Sequence, residues 1–131
     1  MPSKLIRSTL ASALLTLWSL TSQANEGVIS SIETRSQQLT DLSDLIWDLA
    51  EVGYKETRSS EALKSALSAE GFSIESGVAD IPTAFVASYG SGEPVIAVMG
   101  EFDALPGISQ AAVPFEQKIE GKHAAQACGH H

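Results

Sequence analysis

One cysteine, Cys128, stands among 131 residues. No internal disulfide can form, so neither a disulfide-stapled scaffold nor a zinc finger with four cysteine ligands is open to this chain. Basic residues are scarce too: eight Lys and Arg face sixteen Asp and Glu, for a formal net charge of -8. Nucleic acids and anionic membrane surfaces are bound by clustered cations that displace counterions. No basic stripe runs through this sequence, which excludes the first and argues against the second. Long apolar runs are missing as well, since the longest near the N-terminus covers residues 9–20, too short to cross a bilayer. No internal repeat, low-complexity tract or interdomain linker is visible. What remains, 44% hydrophobic and 18% charged, is ordinary globular composition.

Residues 1–24 read as a signal peptide. Lys4 and Arg7 supply a positive start, residues 9–20 an apolar stretch, and Ser22-Gln23-Ala24 the small residues two apart that a signal peptidase reads. The competing readings are an uncleaved anchor or a buried helix. Cleavage after Ala24 predicts an exported chain, periplasmic or secreted, that begins at Asn25 and has no membrane contact.

Beyond Asn25, Val28, Ile29, Ile32, Leu39, Leu42, Leu45, Ile46 and Leu49 recur at steps of mostly three and four, which predicts one buried face of a long helix closed by Gly53. Residues 57–60 offer hydroxyls to cap a second helix that buries Ala62, Leu63, Ala66 and Leu67 and ends at Gly71. Residues 72–78 and 84–89 read as strands. Gly90-Ser91-Gly92-Glu93-Pro94 reads as a hairpin turn into residues 95–99, an unbroken apolar run of the kind buried on both faces of a sheet. From Gly100 onward little periodicity remains, and loops this long are usually functional.

Two short patterns there carry chemistry. In extended backbone Glu101 and Asp103 project to one side, where they could share a cation, or they could be the solvated end of a strand. Cys128 and His130 flank Gly129 with the same spacing, and thiolate with imidazole is a donor set that zinc prefers. A buried structural cysteine beside surface histidines explains the tripeptide equally well. A Cys/His nucleophilic pair is disfavoured, because neighbours this close rarely reach proton-transfer geometry and no orienting Asn or Asp follows.

Ile81-Pro82-Thr83-Ala84-Phe85, Tyr89-Gly90-Ser91-Gly92, Gly100-Glu101-Phe102-Asp103-Ala104-Leu105-Pro106-Gly107 and Cys128-Gly129-His130-His131, in this order, resemble the N-terminal part of the M20 metallopeptidase and amidohydrolase family, within it the branch of the aminobenzoyl-glutamate hydrolase subunits. The resemblance covers nearly all of residues 28–131 but only the beginning of such proteins. It implies an α/β fold: the N-terminal portion of a zinc-peptidase-like catalytic domain over residues 25–131, with two helices, a strand meander of a mixed sheet and an irregular site loop, and with the lid and dimerisation domain absent.

The same resemblance implies that Cys128 and His130 bind a divalent metal, zinc or manganese, two ions in the full-length protein, and that Asp103 is the catalytic aspartate at the end of the buried strand. Glu101 stands where many relatives carry a metal-binding histidine. Ala125-Gln126 stands where the branch often has Gly-His, so His123, further upstream, is given no role. The implied reaction is hydrolysis of the amide bond of an N-acyl or N-aroyl amino acid, a small-molecule substrate, by a homodimer or hetero-oligomer. The general base and remaining ligands would follow residue 131, so the segment by itself is expected to be inactive. The alternative is a small exported protein that captures metal with Cys128, His130, His131 and His123.

Overall fold

The computed structural model describes the backbone of residues 3–129 and side chains from Asn25 to Gly129. The side chains of the expected signal segment, and both His130 and His131, lie outside the described residues. Among the described residues no helix is long and apolar enough to cross a membrane. The chain forms two compact units, residues 1–39 and 40–131.

The first unit is helical from Ser3 and belongs to α1 (Ser3–Leu49). Its turns are tied locally: Thr34 Oγ1 donates to the Ser30 carbonyl at 2.8 Å, and Arg35 Nη1 to Ser31 Oγ at 2.6 Å. The predicted buried face is not buried here. Val28, Ile32 and Leu39 are 60, 58 and 52% exposed, because a stripe is covered only by an opposing surface and a single helix provides none within this unit.

In the second unit the last turns of α1 bury Ile46, 2% exposed. The helix stops before Gly53. Ala50 still donates its N–H to the Ile46 carbonyl at 3.1 Å, then takes a φ of 44° that turns the chain out of the helix. Residues 51–52 run on beside Ala104, joined by a parallel bridge between Val52 and Ala104 and by a 2.8 Å bond from the Ala104 N–H to the Glu51 carbonyl.

The second helix, α2 (Thr57–Ala69), matches expectation in extent and in its end. The Gly71 N–H bonds the Ser68 carbonyl and the Phe72 N–H the Leu67 carbonyl. That is a Schellman termination, which needs the left-handed φ of 90° found at Gly71. Its start differs from expectation, because the N-cap position is Glu56 and no hydroxyl of residues 57–60 caps it.

After α2, β1 (Ser73–Ser76) pairs antiparallel with β2 (Phe85–Ser88), Ser73 opposite Ser88 and Ser76 opposite Phe85. Phe72 and Tyr89 close the open end with ring centroids 5.2 Å apart. The expected meander stops there. Residues 95–99 form no strand, the turn at 90–94 makes no hairpin, and Val95, Ile96, Val98 and Met99 are 75 to 94% exposed. A strand of that composition needs ladder partners and a cover on both faces, and the described residues supply neither. Instead of one mixed sheet, the described residues form two separate two-stranded antiparallel sheets.

The second sheet lies in the segment expected to be irregular: β3 (Leu105–Pro106) pairs with β4 (Ala124–Ala125), Leu105 opposite Ala125. The result is a small α/β unit in which, among the described residues, the buried apolar side chains are Ile46, Ala104 and Ala125. Polar side chains are buried beside them: Glu56, Ser59, Ser60, Thr83 and Gln126.

Candidate functional site

Asp103 is held by its neighbours on both sides. Behind it, the Phe102 carbonyl accepts a 2.9 Å hydrogen bond from Gln126 Nε2, and the Phe102 ring lies 6.2 Å from that of Phe85. Ahead of it, Ala104 is 1% exposed and tied to Glu51 and Val52. The side chain itself is half-buried and faces the bend after α1: a methyl group placed on Gly53 would stand 3.8 Å from Asp103 Oδ2 and 3.9 Å from Glu56 Oε1. Two carboxylates thus converge on one stretch of backbone that carries no side chain.

The bend is fixed by a polar cluster that connects α1 to α2 and to the entry of β2. Glu51 Oε2 accepts from both the N–H and the hydroxyl of Ser59 at 2.8 Å, and Oε1 from the Arg58 N–H at 3.2 Å. These N–H groups belong to the first turn of α2, which the helix itself leaves unpaired, so the carboxylate meets the positive end of the helix. Burial pushes the Glu51 carboxyl up, but the bonds from Ser59 and Arg58 and the nearby Arg58 charge outweigh it and hold the carboxyl below its ordinary value. Beside it, Thr83 Oγ1 donates to Glu56 Oε2 at 2.6 Å and Ser60 Oγ donates to the Thr83 carbonyl at 2.7 Å.

Cys128 lies two residues beyond Gln126, exposed, and is followed by Gly129 with φ 71°. Ala127 and Gly129, on either side of it, line an open groove of about 620 Å³ together with Trp47, Ser109, Lys118 and Gln126. The rim of the groove is the loop after β3. Gln110 organises it from inside, its Nε2 donating to the carbonyls of Ala111 and Phe115 and its Oε1 accepting from the Gln117 N–H.

The structure therefore brings the segments of Asp103 and Cys128 together through the side chain of Gln126. Glu101 is exposed, and His123 is exposed with its carbonyl taken up by the Gly107 N–H at 2.8 Å. Cys128 offers a thiol of the right chemistry for zinc, but among the described residues no group of three or more His, Cys, Asp or Glu is placed to hold a metal ion. These residues alone do not build a metal centre. Among the residues that do the positioning, Thr83 lies within the motif from Ile81 to Phe85 and Gln126 just ahead of Cys128, yet neither motif marks a role for them, while Glu51 and Glu56 fall in no motif of the sequence. Thr83 and Glu51 are also polar within otherwise apolar surroundings.

No known family profile matches the chain, and no solved structure matches it. A curated protein does: one of the subunits of the p-aminobenzoyl-glutamate hydrolase of Escherichia coli (strain K12), 50% identical over 82 residues, which are 63% of this chain and 17% of that protein. The similarity agrees with the resemblance drawn from the motifs. The matched stretch is about a sixth of the length of this relative.

Proposed function

We propose that this chain is the opening portion of a hydrolase that cleaves the amide of p-aminobenzoyl-glutamate or a closely similar N-acyl amino acid. The observation that carries the reading is the 50% identity over 82 residues to a protein of that name. In the reaction water adds to the amide carbonyl, the carbon–nitrogen bond breaks, and the carboxylic acid and the free amine of glutamate are released.

Cys128 and His130 would hold a divalent ion, zinc or manganese, with further ligands and the general base supplied by the rest of a longer protein, as the 17% coverage of the relative supports. Such an ion acidifies a bound water and polarises the carbonyl. The contribution of the described residues is geometric: Asp103 is anchored by backbone bonds at Phe102 and Ala104, so its carboxylate can orient a ligand with little loss of freedom. Assembly into an oligomer fits the relative's being named as a subunit. The leader at residues 1–24 fits export, and protein recovered from the native host should then begin at Asn25. Recovery of soluble cytoplasmic protein that starts at Met1 refutes that part.

The test uses protein translated from the whole reading frame, assayed for release of glutamate from p-aminobenzoyl-glutamate. Cys128→Ser and His130→Ala should lose metal and abolish turnover, since a neutral hydroxyl replaces the thiolate in the first and the imidazole donor is gone in the second. Asp103→Asn should keep some metal and lose about 10- to 100-fold in rate. Stoichiometric metal and unchanged turnover in Cys128→Ser would overturn the thiolate role.

A further inference from the structure

Gln126 is the largest polar side chain buried in the unit, 2% exposed. It sits at the end of β4, between Ala125, whose partner across the sheet is Leu105, and Cys128 two residues on. Its carboxamide spans 24 residues of sequence to reach the Phe102 carbonyl at 2.9 Å. Three attachments thus converge around Asp103: this bond at Phe102, the bond from the Ala104 N–H to the Glu51 carbonyl, and the Leu105–Ala125 pairing. The first of them is the one that ties the backbone behind Asp103 to the strand that leads into Cys128.

We propose that Gln126 is a positioning residue of the hydrolytic site: it locks the segment of Asp103 to the segment of Cys128 so that the two move as one body. The inference rests on the hydrolase reading above. A buried amide is suited to the task. It presents an N–H donor in a fixed direction without a charge, and on opening the buried amide and the part-buried Phe102 carbonyl would each lose this partner, so the closed arrangement is preferred over an open one. A site that depends on the relative placement of two groups loses rate when either wanders, even though the groups themselves are intact.

The experiment compares Gln126→Leu, Gln126→Glu and Gln126→His in protein from the whole reading frame, with kcat, KM, thermal midpoint and amide exchange measured on each. Leu has no donor and the Glu carboxylate only accepts, while a His ring N–H can still donate. In the Leu and Glu variants kcat should fall about 10- to 100-fold with KM changed by less than about threefold. Exchange at the Ala104 and Gly107 amides should quicken, and Gln126→His should restore both. If Gln126→Leu does not fold, the nearly isosteric Gln126→Glu carries the comparison. Unchanged kcat in the folded variants overturns the proposal, as does loss of kcat that tracks a fallen thermal midpoint and is not restored by His. If the wild-type protein itself hydrolyses no N-aroyl-glutamate, the hydrolase reading has failed, and unchanged exchange at Ala104 and Gly107 would then overturn the clasp as well.

Discussion

Glu51 does for α2 what an N-cap side chain ordinarily does, although it precedes the helix by a whole bend of the chain. Its carboxylate satisfies the Arg58 and Ser59 N–H groups while Glu56, at the cap position itself, turns instead to Thr83. Replacing Glu51 by Gln should cost about 1 kcal/mol at neutral pH, the usual worth of a cap, through loss of the charge at the helix end. The effect has a defined pH dependence. The folded carboxyl titrates below its ordinary value of 4.5, so the unfolded chain takes up the proton first. The stabilisation is complete above that value and is lost as pH falls through the lower folded one. Urea midpoints of the wild type and of Glu51→Gln should accordingly differ at neutral pH and converge in acid well below the ordinary carboxyl value. A gap of equal size at both would show that the charge does not matter. Thr83 and Glu56 make the opposite kind of pair, both buried, where each oxygen depends on the other for its hydrogen bond.

Among the elements, α2 and the β1–β2 hairpin are joined at Gly71. Both termination bonds require its φ of 90°, and the Tyr89 ring lies 3.5 Å from where a methyl group on Gly71 would stand. Gly71→Ala should destabilise the second unit by about 1 kcal/mol, since any L-residue is strained in that conformation. A shift of the denaturant midpoint without a change of slope would register it. No loss of stability would mean that the chain leaves α2 by another route. The apolar run at residues 95–99 shows the opposite situation, in which composition favours a central strand and no ladder forms.

For the whole molecule, three buried apolar residues and a polar cluster among the described residues are a small core. The area they remove from water sets a modest limit on stability, because apolar burial is the main term that offsets chain entropy. Val95, Ile96, Val98 and Met99 lie open together, a patch of the kind soluble monomers avoid. Residues 25–131 expressed alone should therefore melt over a broad range, bind a hydrophobic dye and hydrolyse no p-aminobenzoyl-glutamate. A sharp cooperative transition together with measurable hydrolysis would refute both the loose packing and the reading of this chain as one portion of a larger hydrolase.

Much of the local structure is legible in the sequence because it follows from neighbours along the chain. Gly71 ends α2 as its conformational freedom dictates, the stretches 72–78 and 84–89 read as strands contain β1 and β2, and the motifs around Asp103 and Cys128 point to the same relative that sequence similarity identifies. Periodicity also marks α1 as a helix, but not which part of it is covered. What a sequence does not display are bonds whose partners lie far apart along it: Thr83 to Glu56 across 27 residues, and Gln126 to Phe102 across 24. Local rules assign the cap of α2 to the hydroxyls of residues 57–60 and pass over Glu51, because they look for a cap beside the helix it serves. Burial decides the rest. An apolar stripe or run specifies a preference for cover, and only the tertiary structure determines whether a surface is there to provide it, as it is for Ile46 and is not for Ile96.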